Sequence, residues 1–351
     1  MNREFNPEML ALARESRGYT QSELAKEAGI VPSLISKYEH DVSLPSDPII
    51  DRLAGLLNYP NAFFFERPEL AGLGPSALYH RKLRSMRITA QRRIQAQVNV
   101  LRLQIERLLR GVEMQPEYRF SKMDIDEYGN PEGIAQLLRA AWHLPLGSIR
   151  HLVGAIESNG GVVVLHPLGD RKMDGLSVWH SSLPPMFFLN DNVPGDRARF
   201  TLAHELGHVI MHSMPSEQME DEANRFAAEF LMPRKEISSS LDNMTLAKAA
   251  ALKVQWKVSM QAIIRRAKDL GKIPDSRYRR LCTEINVAGY RMREPLPIPL
   301  EAPTLMREVI DLHMRAHGLT LSDLSAMALM VPAEFRECYL KGDGPSLRVA
   351  R

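Results

Sequence analysis

Residues 199–212 of the 351-residue chain read RFTLAHELGHVIMH. His204 and His208 stand four apart, so on a helix both imidazoles leave one face about a turn from each other. Two histidines so spaced can reach one zinc ion at ordinary Zn–N distances of about 2.0–2.1 Å. Glu205, directly after the first histidine, can hold the attacking water and act as its general base. Leu202, Ala203, Leu206, Val209 and Ile210 would bury the rest of the helix, and Gly207 lets a neighbour come close. Catalytic zinc takes a third protein ligand and keeps one position open. The next helical stretch, EDEANRFAAEFLMP at 220–233, begins with three acids and buries Phe226, Ala227 and Phe230 before Pro233 ends it. Glu220 and Asn224 lie one turn apart, as do Asp221 and Arg225. A carboxylate from this segment would complete a two-histidine, one-glutamate site. The plainer reading of any one acid is a solvated helix N-terminus, where the dipole favours negative charge.

The elements ahead of the motif must carry a substrate to it. Residues 161–165 (GVVVL) and 185–190 (PMFFLN) read as buried strands. An exposed edge strand can bind an extended substrate by β-augmentation. Phe187, Phe188, Leu189 and Asn190 are the candidates for that strand, and a plain core strand is the competing reading of the same composition. A proton donor or oxyanion stabiliser is also expected, with His180, Arg197, Arg199 and His212 all open.

The N-terminus is a different module. Residues 7–17 put Met9, Leu10, Leu12 and Ala13 on one side, and Gly18 stops the helix. Thr20 with Glu23 three residues on makes a capping box. The helix it opens, 21–28, ends at Gly29, and Pro32 or Ser33 starts another through Tyr38. Helix, tight turn, helix is a DNA-reading arrangement whose second helix enters the major groove. Ser33, Ser36 and Lys37 would face outward, Leu34, Ile35 and Tyr38 inward, and Gln21 could touch a phosphate or base. Periodicity alone would equally allow a helical bundle with no DNA contact.

Between the modules, residues 79–111 carry Arg81, Lys82, Arg84, Arg87, Arg92, Arg93, Arg102, Arg107 and Arg110 against one acid, Glu106. Beyond Thr89, an apolar stripe of Ile94, Val98, Leu101, Ile105 and Leu108 predicts a helix used for packing or for a homodimer. The arginines are either phosphate contacts or a solvated face.

Two resemblances sharpen this. YTQSELAKEAGIVPSLISKYEHDVSLPS is similar to the XRE (Cro/C1-like) helix-turn-helix family over about residues 7–66. RFTLAHELGH with EDEANRFAAEFLMP resembles the ImmA/IrrE metallopeptidases over about 135–290, including DGLS at 174–177 and MFFLN at 186–190. The second resemblance implies a minimal gluzincin fold. It makes His204 and His208 the zinc histidines, Glu205 the catalytic glutamate and Glu220 the third ligand, as the first acid of the family's E-x-x-x-N/D run. Glu222 fits that run less well.

The expected fold is α+β and mainly helical: a five-helix bundle at the N-terminus, a zinc peptidase domain with a small sheet, and a helical C-terminal region. The expected boundaries are 1–68, 69–130, 131–293 and 294–351, with the Pro-rich EPLPIPLEAPT at 294–304 as a linker. HGLTLSDLSAMALMVPAEF (317–335) aligns without gaps to RGYTQSELAKEAGIVPSLI (17–35), so the last region reads as a degenerate helix-turn-helix. Ser33 and Lys37 become Ala333 and Glu337 there, which suits packing better than phosphate. Two cysteines outside any metal pattern, no apolar signal segment and no long apolar run predict a cytoplasmic protein.

Two functions fit. One is a DNA-associated regulatory zinc endopeptidase whose substrate, by the ImmA/IrrE resemblance, is a protein such as a helix-turn-helix repressor controlling stress or mobile-element genes. The other is a non-proteolytic, antitoxin-like DNA-binding regulator that keeps the zincin domain as sensor or scaffold. An intact Glu205 favours the first, and the fused DNA-reading module the second.

Overall fold

The computed structural model describes residues 4–68, 86–168, 173–180 and 183–340. These fall into two compact units, one of 4–68, 86–114 and 304–340, the other of the described residues between 115 and 303.

The first unit opens as its local signals require. Helix α1, Pro7–Arg17, starts on Pro7 with the Asn6 side chain accepting from Glu8 N, and ends where Gly18 turns left-handed. Helix α2, Gln21–Glu27, carries the Thr20–Glu23 capping box, and α3, Pro32–Glu39, begins on a proline. Helix α4, Asp47–Leu57, and a 3-10 turn, Asn61–Phe65, close the bundle over Met9, Leu10, Leu24, Ile35, Leu53 and Phe63.

Helix α5, Ile88–Leu109, lies in the stretch read as a basic connector, and its stripe of Ile94, Val98, Leu101, Ile105 and Leu108 is buried. Every residue from 98 to 105 is buried, including Asn99, Arg102 and Gln104, and Ala96, Val100 and Leu103 join the core of the N-terminal bundle. The stripe is wider than its apolar letters because polar residues are enclosed too. Arg87, Arg92, Arg93 and Arg110 are exposed, whereas Arg107 pairs with Glu66 at 3.0 Å. Arg81, Lys82 and Arg84 lie outside the described residues.

The second unit runs α6, Ile125–Tyr128, α7, Pro131–Ala141, and α8, Leu152–Ser158, into three strands: β1, Val162–Leu165, β2, Gly175–Val178, and β3, Met186–Leu189. The sheet order is β1-β3-β2, with β3 parallel to β1 and antiparallel to β2. This overturns the edge position expected of the MFFLN strand. Phe187 is paired with Val163 on one side and Ser177 on the other, so both backbone edges are taken. Phe187, Phe188 and Leu189 are at most 1% exposed and Asn190 5%, and the unbroken apolar run is that of a strand buried on both faces.

Helix α9, Gly195–Met211, carries the two histidines, and α10, Met219–Leu231, the acids. Helices α11, Arg234–Ile237, α12, Leu246–Trp256, α13, Met260–Asp269, and α14, Asp275–Val287, complete the unit. Its core joins Leu202, Leu206 and Ile210 of α9 to Phe226 and Phe230 of α10 and to Trp142. The Pro-rich stretch expected as a linker is tied down instead. Glu294 accepts from Lys253 Nζ at 2.9 Å and Met260 N at 2.8 Å, and Glu301 from Val153 N at 2.8 Å.

The chain then returns to the first unit as α15, Leu305–His317, α16, Leu321–Met327, and α17, Pro332–Tyr339. Gly318 takes the left-handed cap as Gly18 does, and Thr320 with Asp323 rebuilds the capping box. Helices α16 and α17 open at Leu321 and Pro332 where α2 and α3 open at Gln21 and Pro32. The turn differs: Gly29, φ 65°, is replaced by Leu329, φ 56°. A left-handed leucine is strained, and its side chain is 1% exposed within the core of the N-terminal bundle. Among the described residues no helix is long and apolar enough to cross a membrane.

Candidate metal centre

Helix α9 is amphipathic in an unusual way, with fourteen of its seventeen residues buried. Of the charged or titratable ones among them, Asp196 pairs with Lys253 and Arg199 with Glu301, and the other three belong to a constellation further along the helix. His204 and His208 present Nε2 atoms 3.0 Å apart. Glu220, in the first turn of α10, brings Oε2 to 3.8 Å from His204 Nε2 and Oε1 to 3.3 Å from His208 Nε2. Donor atoms of the three residues all lie within 4.8 Å of one another. Close packing makes this possible. A Cβ at Gly207 would stand 3.0 Å from the Phe226 ring, so the missing side chain is what lets α10 approach the histidine helix.

Two imidazoles and a carboxylate suit zinc, and the set fits its demands in a second way. Each histidine has its other nitrogen engaged, as ligating histidines usually do. His204 Nδ1 is 3.1 Å from Asn224 Oδ1, whose amide donates to Glu220 O at 2.7 Å. His208 Nδ1 is 2.9 Å from His212 Nδ1, and His212 Nε2 is 3.0 Å from Glu222 Oε2. Burial, with the His208 ring and the Lys122 ammonium nearby, pushes His212 down to about 3. Burial also raises the Glu222 carboxyl above its ordinary value.

Glu205 is fully buried, and Ser177 Oγ on β2 donates to its Oε2 at 2.7 Å. The carboxylate is thus held from the strand neighbouring the helix. His204, Glu205 and Glu220 line a cleft of about 1580 Å³, while the His208 side chain, 1% exposed, sits behind it.

The sequence-derived candidates divide clearly. His204, His208, Glu220 and Glu205 come together; Glu222 is turned to His212, outside the three-donor group. Of the four residues considered for proton donation or oxyanion binding, Arg197 lines the cleft, paired with Asp174 at 2.7 Å. Arg199 is pulled down to about 10 by burial, so it remains a cation, and is committed to Glu301 and Ile149 O. His212 is taken up beside His208, and His180 follows β2. Sequence reasoning assigned no role to Ser177 or Asn224. Ser177 lies in the quoted DGLS run and Asn224 one turn from Glu220, so both were in view without a partner to give them meaning.

In the N-terminal bundle, Ser33 and Lys37 are exposed on α3, Ser36 is half-buried, and Ile35 and Tyr38 face the core. Gln21 is not free in this state. Its Nε2 donates to Glu39 Oε2 at 2.7 Å, and Glu39 in turn binds Arg14.

Residues 156–268 match the family described as the IrrE N-terminal-like domain, a peptidase family, and residues 10–61 match the helix-turn-helix family. The chain is a fusion of these two kinds of domain. No curated protein matches it. A helix-turn-helix match joined to an IrrE-like peptidase match supports a DNA-associated regulator, and the His-His-Glu group is a place where the metal that such a peptidase family implies could sit.

Proposed function

We propose that the fusion is a regulatory zinc metalloendopeptidase that acts near DNA and cleaves a repressor-type protein. The observation that supports this most is the convergence of His204, His208 and Glu220 beside a buried Glu205 steadied by Ser177. A scaffold would need the fold but not that glutamate.

His204, His208 and Glu220 would hold the ion, which when bound supplies Lewis-acid polarisation of the scissile carbonyl and makes water a better nucleophile. Glu205 takes a proton from the attacking water at its carboxylate and passes it to the departing amine nitrogen as the C–N bond breaks. Ser177 keeps the glutamate aimed while the proton is on it. The extended substrate pairs with β2, which has β3 as its one strand partner among the described residues, so β2 replaces the MFFLN strand in this role. Helix α3, through Ser33, Ser36 and Lys37, holds the enzyme on DNA, where a helix-turn-helix repressor governing stress or mobile-element genes would also sit.

The test compares wild type with Glu205→Gln for bound metal and for cleavage of a co-incubated helix-turn-helix repressor. About one zinc per chain in both, with cutting by wild type alone, is the expected result. Zinc in both with no cutting of any partner, or of the chain itself, favours the second reading, a DNA-binding regulator that keeps the metal domain as a sensor. No zinc with Glu220 intact overturns the ligand assignment.

A further inference from the structure

We propose that His212 and Glu222 form a positioning relay that fixes His208 as a metal ligand, an inference resting on the metal-centre reading above. His208 turns Nε2 toward His204 and Glu220 and leaves Nδ1 on its far side, 2.9 Å from His212 Nδ1. A neutral imidazole that gives Nε2 to a metal carries its proton on Nδ1. His208 is therefore the donor in that contact and His212 accepts through a bare Nδ1. The proton of His212 must then be on Nε2, which faces Glu222 Oε2 at 3.0 Å. One proton arrangement satisfies the whole chain, and it runs from the metal position to a carboxylate.

The consequence is electronic as well as geometric. A carboxylate at the far end polarises His212, which becomes a stronger acceptor for the His208 N–H, and His208 becomes a better donor at Nε2. The two histidines are supported unequally. His204 leans on the neutral amide of Asn224, whereas His208 leans on a ring backed by a negative charge. The elements explain how both partners arrive. His212 lies one turn beyond His208 at the end of α9, and Glu222 lies in the first turn of α10, two residues past the ligand Glu220. The acid that does not bind the metal is thus used to hold a residue that does.

The test is zinc affinity, measured by competition with a chromogenic chelator, on the full chain and four variants. Glu222→Gln keeps shape and removes charge, and is expected to weaken binding about tenfold; His212→Ala weakens it between about tenfold and a hundredfold. The double variant should bind no more weakly than His212→Ala alone, because Glu222 acts only through His212. The ligand-field spectrum of the cobalt-loaded protein should shift in both single variants, which a merely structural role would not produce. Glu220→Ala, losing most of the affinity, tests the metal-centre reading itself. Wild-type affinity in folded Glu222→Gln, or additive losses in the double variant, overturns the relay and leaves the metal centre standing. A wild-type chain that binds no zinc overturns both. Should His212→Ala fail to fold, Glu222→Gln still decides, since its side chain is 18% exposed at the edge of the core.

Discussion

Arg17 and Glu334 meet in a two-pronged ion pair, Nη1 to Oε1 at 2.9 Å and Nη2 to Oε2 at 2.7 Å, across 317 residues of sequence. Glu334 also accepts from Asn58 Nδ2 at 2.8 Å. In the aligned repeats it stands where Leu34 stands in the first copy, so a half-buried leucine has become an anchor. Leu329 adds an apolar plug from the same segment. Removing Glu334 by Glu334→Ala strips three charge-assisted hydrogen bonds and is expected to cost about 1–3 kcal/mol. Leu329→Ala should cost about 2–5 kcal/mol through the cavity it leaves. Trp142, Trp179 and Trp256 all lie in the other unit, so amide exchange in α1 and α4 is the measurement. Unchanged protection there would show that the C-terminal repeat does not brace the bundle.

Ser177 makes a separate prediction. Its hydroxyl holds Glu205 from the neighbouring strand at 2.7 Å, and a hydrogen bond to a charged group contributes about 1.5–3 kcal/mol. Ser177→Ala should keep its zinc and lose at least about tenfold in kcat/KM. Equal activity in the two proteins would mean that Glu205 is oriented by its own helix.

On DNA, two exposed residues of α3, Ser33 and Lys37, should behave differently. Lys37→Ala, by removing a phosphate contact, is expected to weaken binding evenly across sequences and to lower the salt slope by about one. Ser33→Ala should instead change which operator variants are preferred. Fluorescence anisotropy on a set of duplexes at several salt concentrations reads both. No response to either change would leave the helix-turn-helix as a protein-contact module.

The acid dependence of stability follows from a clasp between α7 and α10. Burial alone would raise the Glu132 carboxyl, but hydrogen bonds and charge from Arg225, at 2.8 and 2.9 Å, outweigh it and hold it below its ordinary 4.5. With the folded value depressed, the unfolded chain takes up the proton first. The stabilisation is therefore complete above about 4.5 and is lost as pH falls through the lower, folded value. Both side chains are well exposed, at 31% and 46%, so the effect stays under about 1 kcal/mol. Urea midpoints of Glu132→Gln and wild type should differ at neutral pH and converge in acid; a gap that persists in acid would rule the clasp out.

Much of the fold was legible in the amino-acid string for a local reason. A cap needs residues three apart and a metal-binding helix needs them four apart, so Thr20 with Glu23, Thr320 with Asp323, and His204 with His208 declare themselves within one turn. The same holds for the proline that opens α3 and for the repeat that reappears around Thr320. Long-range relations left no such mark. Composition alone could not place MFFL at the centre or the edge of a sheet, because an apolar strand is apolar in either place. Nor could it show that polar Asn99, Arg102 and Gln104 would be enclosed along with their apolar neighbours.

The chain by itself determined the chemistry available: two imidazoles and a glutamate on one helix face, acids one helix later, and a DNA-reading module ahead of them. Only the tertiary structure decided how these are used. Family resemblance singled out Glu220; packing of Gly207 against Phe226 brings it, rather than Glu222, to the histidines, and turns Glu222 onto His212. Tertiary packing elsewhere set Ser177 on Glu205 and, in the other unit, Glu334 on Arg17. Those choices depend on which distant surfaces meet, and hydrogen bonds of a few ångströms carry no trace of themselves in sequence separation.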